Sequence, residues 1–296
     1  MVVCPEPEER VGPTTPIPPR VATRTRRRAR GELVTDTVYA PLGRLLVRVL
    51  LPLRVPPVAV VVANGVAGLG AAVAVVRGDL LAGALLLWLK TLLDNTDGQL
   101  ARASGRKSAL GRYLDTEVDL LVNIALFAAL AHETGAPVLT VASLLALTFV
   151  LSADFNADVL YRRHRGEHVV TQPSAEREGT LAKWLASLYA AVFAPHDRLL
   201  QGIARWRRGR LTEVVGDPEA GRRATHAYEE DGMVAVLANL GLSTQLTVLG
   251  ICLVAGAPML YLWLVLICAA LVPVLQLRRE IAARRRSTRE SRPDLG

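Results

Sequence analysis

The sequence predicts an all-α, polytopic membrane protein, with six transmembrane helices preceded by an N-terminal amphipathic surface helix. Three observations carry this reading. The 296 residues are 51% apolar and 21% charged, yet the formal net charge is +8. Apolar mass and positive charge must therefore be segregated along the chain, which a membrane does and a single core does not. The apolar residues are mainly Leu, Val and Ala, with only 5% aromatics, which suits lipid-facing helices. They also gather into stretches near the ~20 residues that a bilayer requires. The same figures exclude disordered, collagen-like and disulfide-scaffold chains. Cys4, Cys252 and Cys268 lack zinc spacing and read as small hydrophobes.

Residues 1–38 contain no apolar core of a signal peptide, and the run Arg20 to Arg30 reads as a disordered basic cytoplasmic arm beside anionic headgroups. Residues 39–56 form the amphipathic juxtamembrane helix. There Tyr39 to Leu53 mixes Leu and Val with Arg44 and Arg48 one turn apart, ahead of Pro56 and Pro57. Residues 57–161 hold spans one to four, at about Pro57–Val76, Leu80–Ala103, Ala109–His132 and Pro137–Tyr161. Residues 162–232 are a cytoplasmic insert. Within it Leu181, Trp184, Leu185, Leu188, Tyr189, Val192 and Phe193 share a helical stripe, predicting an interfacial helix. Residues 233–277 hold spans five and six, at about Met233–Ala255 and Pro258–Leu277, and 278–296 are a basic cytoplasmic tail.

The connections alternate in charge. Arg77–Asp79, His132–Ala136 and Gly256–Ala257 are short and nearly free of positive charge. The arm, Arg102–Arg112, the insert and the tail hold the arginines. The positive-inside rule then places both termini in the cytoplasm, and an even number of spans agrees. The expected location is a bacterial cytoplasmic membrane.

Span two carries Asp94 and Asp97, and span three carries Asp115, Glu117 and Asp119. Each carboxylate in hydrocarbon costs roughly 2.5–3.5 kcal/mol, so four aspartates cost about 10 kcal/mol, and a functional return has to explain them. At 100° per residue Asp94, Asp97, Gly98, Ala101 and Arg102 share one stripe of span two, while Gly111, Asp115 and Asp119 share one stripe of span three. The two helices run antiparallel through the turn Ser104–Ser108. Asp97 therefore matches Asp115 in depth, and Asp94 matches Asp119. Four carboxylates converging in one cavity call for divalent cations, and all-oxygen donors favour Mg²⁺ or Mn²⁺ in a two-metal site. Gly98, Ala101 and Gly111 leave room between the helices for a flat group or phosphates, and Arg102 offers a fork for phosphate. This combination suggests phosphoryl transfer.

Asp94-Asn-Thr-Asp97-Gly98-Gln-Leu-Ala101-Arg102, followed by Gly111, Asp115 and Asp119 at spacings of nine, four and four, resembles the complete motif of the CDP-alcohol phosphotransferases. The resemblance implies displacement of CMP from a CDP-linked donor, such as CDP-diacylglycerol, by an alcohol acceptor in phospholipid biosynthesis. It also implies a divalent metal and a homodimer. It makes Asp94, Asp97, Asp115 and Asp119 metal ligands, with Asp119 also the catalytic base toward the acceptor hydroxyl. Gly98, Ala101, Arg102 and Gly111 hold the CDP moiety. Asn64 resembles the asparagine of a Pro-Asn pair in the family's first span and is a further substrate-binding position, although Ala63 replaces the proline. The residues Thr116–Leu120 do not resemble the glycerophosphate-using or inositol-using branches, which leaves the acceptor open.

Lys90 lies one turn deeper than Asp94 on the same face and reads as a counter-charge, while Lys107 and Arg112 read as positive-inside residues. The five histidines lack ligand spacing. The basic arm and tail face lipid headgroups, and no aromatic platform for nucleic acid accompanies them. Two other activities use intramembrane carboxylates. A Mg-dependent prenyltransferase would lack the Asp-Gly-x-x-Ala-Arg continuation, and a divalent-cation transporter would place its site near the midplane between broken helices.

Overall fold

The computed structural model describes residues 32–164, 202 and 233–290, and among these residues the secondary structure is helical with no strand. A π-helical turn, Thr35–Tyr39, runs directly into α1 (Ala40–Leu50). There follow α2 (Pro57–Val76), α3 (Leu80–Ala103), α4 (Ala109–Thr134), α5 (Pro137–His164), α6 (Met233–Ala238), α7 (Leu242–Val254) and α8 (Pro258–Glu290). The basic run of the arm, the predicted helix at 181–193 and the last residues of the tail lie outside the described residues.

Local chemistry sets the helix ends. Pro57 opens α2 where a missing N–H costs nothing. The Asp79 carboxylate accepts from the Ala82 amide at 3.0 Å to start α3, and the Ser108 hydroxyl accepts from the Gly111 amide at 2.9 Å to start α4. Gly135, at φ 64°, closes α4 in the left-handed conformation that glycine adopts without strain.

Three helices are long and apolar enough to cross a membrane: Pro57–Val76, Pro137–Val159 and Pro258–Arg278. With 24 and 26 residues, α3 and α4 have the length, but their charged residues interrupt the apolar run. Outward-facing Val66, Leu81, Leu121, Leu145, Ile267 and Val274 are exposed, as lipid-facing side chains would be.

Two elements differ from their sequence expectation. The stretch expected as one span over Met233–Ala255 is broken at Asn239–Gly241. There Gly241 is extended (ψ 169°), and the Asn239 side-chain oxygen accepts from the Leu33 amide at 2.8 Å. The helix expected to end near Leu277 continues to Glu290, with Pro273 inside it.

The bundle is organised around α2, against which both α3 and α4 pack, while the backbones of α3 and α4 stay apart from each other. Small residues allow this close seating. A Cβ on Gly65 would lie 2.9 Å from Val118 Cγ1, and one on Gly68 would lie 2.5 Å from Val122 Cγ1. On the other side, Gly83 of α3 makes room for Val75. The main core lies deeper, where Leu87, Leu126, Leu130, Leu249, Tyr261 and Val265 are closed off and the Phe127 and Tyr261 rings sit 6.2 Å apart. Two helices held apart on a common support leave a cleft between them, and the carboxylate stripes face each other across it.

Candidate active site

The two stripes meet in an uneven division. Asp94 and Asp97 of α3 and Asp115 of α4 each offer a carboxylate oxygen, all within 4.8 Å of one another. Asp97 is only 7% exposed. Its Oδ2 and the Oδ1 of Asp115 are buried without a hydrogen-bond partner. Buried carboxylate oxygens left unsatisfied are costly, and these two, with a third carboxylate from Asp94 beside them, make a set of hard donors that a divalent cation would satisfy. These residues fit the metal that the sequence implies.

Asp119 stands outside that triad. Its Oδ1 accepts from the Lys90 ammonium at 2.5 Å, and the same Nζ lies 3.8 Å from Asp94 Oδ1. The Lys90 side chain is 0% exposed, so its charge is compensated entirely from within the cleft. The Asn64 amide, buried in α2, donates to Asp94 Oδ1 at 3.3 Å. Asn64 therefore meets the site through a carboxylate, as the partner that orients Asp94.

The positions expected to hold a nucleotide lie toward the end of α3 and the start of α4. A Cβ on Gly98 would meet only the flexible Arg102 guanidinium, at 3.3 Å, so the space beside Gly98 is open. Ala101 is half-buried one turn on, and Arg102 is exposed at the rim. A Cβ on Gly111 would approach Ser108 Oγ at 3.1 Å and Val58 Cγ2 at 3.9 Å, which ties this glycine to the start of α4. Lys107 and Arg112 are exposed at the same end. Sequence reasoning put the small residues between α3 and α4. In the structure the close-packing glycines are Gly65 and Gly68 of α2, and Gly98 borders open space.

The motif is braced from behind. Asn95 Nδ2 donates to the Thr91 carbonyl at 2.8 Å and to Ser243 Oγ of α7 at 3.3 Å. The start of α7 is capped by the buried Glu32 carboxylate, which accepts from the Thr244 amide at 3.1 Å and from its hydroxyl at 3.0 Å. Sequence reasoning missed Glu32, Ser243, Gly65 and Gly68. Only the two glycines carried a readable sign, three residues apart in an apolar helix. An apolar hollow of about 360 Å³, lined by Tyr39, Leu42, Trp88, Leu92 and Thr247, lies on the other face of α3 and holds no carboxylate.

The geometry can hold a divalent cation on three carboxylates, pair a fourth carboxylate with Lys90 beside it, and admit a phosphorylated group past Arg102. A family model, CDP-alcohol phosphatidyltransferase, matches residues 54–208. No curated protein and no solved structure matches the chain. The matched region covers just over half of the sequence and includes the whole motif from Asp94 to Asp119. The chain thus belongs to the CDP-alcohol phosphatidyltransferase family, as an integral membrane transferase of substituted phosphate groups.

Proposed function

We propose that the chain transfers a substituted phosphate from a CDP-linked donor, CDP-diacylglycerol in the first instance, to the hydroxyl of an alcohol and releases CMP at the cytoplasmic face. The observation that carries this reading is the convergence of Asp94, Asp97 and Asp115, beside a fourth carboxylate held separately by Lys90. Exposed apolar faces flank the site, so a donor with acyl chains could reach it from the bilayer while its diphosphate meets the Arg102 rim. In this reading α3, α4 and the broken α6–α7 pair also cross the membrane, giving six spans. The α1 helix lies at the surface with Arg44 and Arg48 toward headgroups. The homodimer rests on the resemblance alone, and native mass spectrometry would test it.

Each residue has a defined task. Asp94, Asp97 and Asp115 would hold Mg²⁺ or Mn²⁺, with Asn64 fixing the orientation of Asp94. The cation supplies charge stabilisation to the diphosphate oxygens. Arg102 grips the same diphosphate, and the open space at Gly98 accepts the nucleotide. Lys90 occupies Oδ1 of Asp119, which leaves Oδ2 to take the acceptor's proton. The acceptor oxygen forms a bond to the donor's distal phosphorus, the bond from that phosphorus to the bridging oxygen breaks, and CMP departs with the electron pair. The proton on Asp119 then passes to solvent.

The test is CMP release by purified protein over a panel of CDP-donors and alcohols. CMP should appear with Mg²⁺ or Mn²⁺, stop in excess chelator and resume on metal addition. No CMP from any pair would refute the proposal. Turnover of a prenyl diphosphate, or Mn²⁺ uptake into proteoliposomes, would assign the carboxylates to other work.

A further inference from the structure

The carboxylates divide three and one, and Lys90 makes the division. Its Nζ stands between Asp119 Oδ1 and Asp94 Oδ1, at 2.5 and 3.8 Å. That is the place from which a second cation would bridge Asp94 to Asp119. Mg²⁺ binds oxygen at about 2.0–2.1 Å. A divalent ion bonded to both of those oxygens would therefore crowd against the ammonium. Two like charges so close repel strongly. Nor is there an easy escape, because Lys90 is 0% exposed and its charge would have to be buried elsewhere without partners. The four aspartates' buried oxygens without a hydrogen bond, Asp97 Oδ2 and Asp115 Oδ1, both belong to the triad.

We propose that the Lys90 ammonium occupies the position of the second divalent cation, so that this chain works with one Mg²⁺ or Mn²⁺, held by Asp94, Asp97 and Asp115. The inference rests on the phosphotransferase reading above, and it replaces the two-metal site expected from the sequence. The fixed ammonium carries one positive charge where a second metal would carry two. Arg102 then contributes more of the charge that meets the diphosphate.

The test counts metal on the full-length protein in nanodiscs. Mn²⁺ is titrated and followed by electron paramagnetic resonance, without nucleotide and with saturating CDP. The wild-type chain should bind one Mn²⁺ in both cases, with the spectrum of an isolated ion. Two ions per chain, or the spectrum of an exchange-coupled pair, would overturn the inference. Lys90→Met frees Asp94 and Asp119 together, so it should take up a second Mn²⁺ and show the coupled spectrum. A count that stays at one in a folded Lys90→Met protein would also overturn it. Lys90→Arg keeps a cation in place and should bind one. If Lys90→Met does not fold, the wild-type and Lys90→Arg counts decide. CMP release from the same samples separates the two claims. Two Mn²⁺ with CMP release removes the role of Lys90 and keeps the phosphotransferase. One Mn²⁺ without CMP release from any donor removes the phosphotransferase, and no bound Mn²⁺ removes both.

Discussion

Asp119→Asn should destabilise the protein more than Lys90→Met, and the double variant should be more stable than Asp119→Asn alone. The asymmetry follows from burial. Asp119→Asn strands a fully buried ammonium, whose remaining carboxylate within reach is Asp94 at 3.8 Å. Breaking a buried ion pair from one side costs roughly 3–5 kcal/mol, and the residual contact with Asp94 places this case near 3 kcal/mol. Lys90→Met strands Asp119, which is 20% exposed and can draw water, so about 1–2 kcal/mol is expected, the cost of a partly solvated orphan. Removing both charges leaves an apolar side chain beside an amide, which is often near neutral. The coupling energy of the cycle is then about 4–5 kcal/mol, above the usual range for groups in contact. Unfolding midpoints in detergent with excess chelator would measure it, since a bound cation would mask the loss in Lys90→Met. If Lys90→Met were the more damaging variant, or if the double variant lost the sum of the two, the ion pair would not organise the cleft. The same measurement guards any catalytic assay of Asp119→Asn, because lost turnover counts against the base only in protein shown to be folded.

The other expectations follow from the same geometry. Gly68→Ala places a methyl group 2.5 Å from Val122 Cγ1 and should cost about 1–3 kcal/mol, with Val122→Ala restoring most of it in thermal unfolding; an unaffected single variant would mean that α2 and α4 are not closely seated. Gly98→Leu puts its Cβ against the movable Arg102 guanidinium and gains helix propensity, so it should keep its unfolding midpoint while losing CDP binding by calorimetry; unchanged CDP affinity would remove the nucleotide from this face. Asn64→Ala removes the amide that orients Asp94 and should weaken Mn²⁺ binding about 10–100-fold, and an unchanged titration would reduce Asn64 to a packing residue.

The helices and the carboxylate stripes were legible because each has a strong local cause. Apolar runs of bilayer length and aspartates at helical spacing act within a turn or two of themselves. The division of the carboxylates was not legible. Spacing puts Asp94, Asp97, Asp115 and Asp119 in one cavity, but only the reach of a buried lysine separates Asp119 from the rest. The break at Asn239–Gly241 was hidden as well, and the Leu33 amide that Asn239 receives there is some two hundred residues away in sequence. Gly98 and Gly65 show the limit at a single residue type. Both are glycines in long helices, yet one borders an open cleft and the other a valine, and only the position of the neighbouring helix distinguishes them.

The cap that Glu32 places on α7 has a consequence for how the protein is made. The two residues are 212 positions apart. At a synthesis rate of roughly 5–20 residues per second, the carboxylate emerges about 10–40 s before Thr244 exists to receive it. During that interval α2 to α5 are made, and the Asn95 amide has no Ser243 to bind. Closing so long a loop is entropically modest, because the penalty grows only with the logarithm of its length. The delay is therefore one of supply, and the brace behind Asp94 and Asp97 is among the last contacts to form. A chain halted before α7 displays all four aspartates with Asn95 tied only to its own helix, so the site is completed once α7 is made.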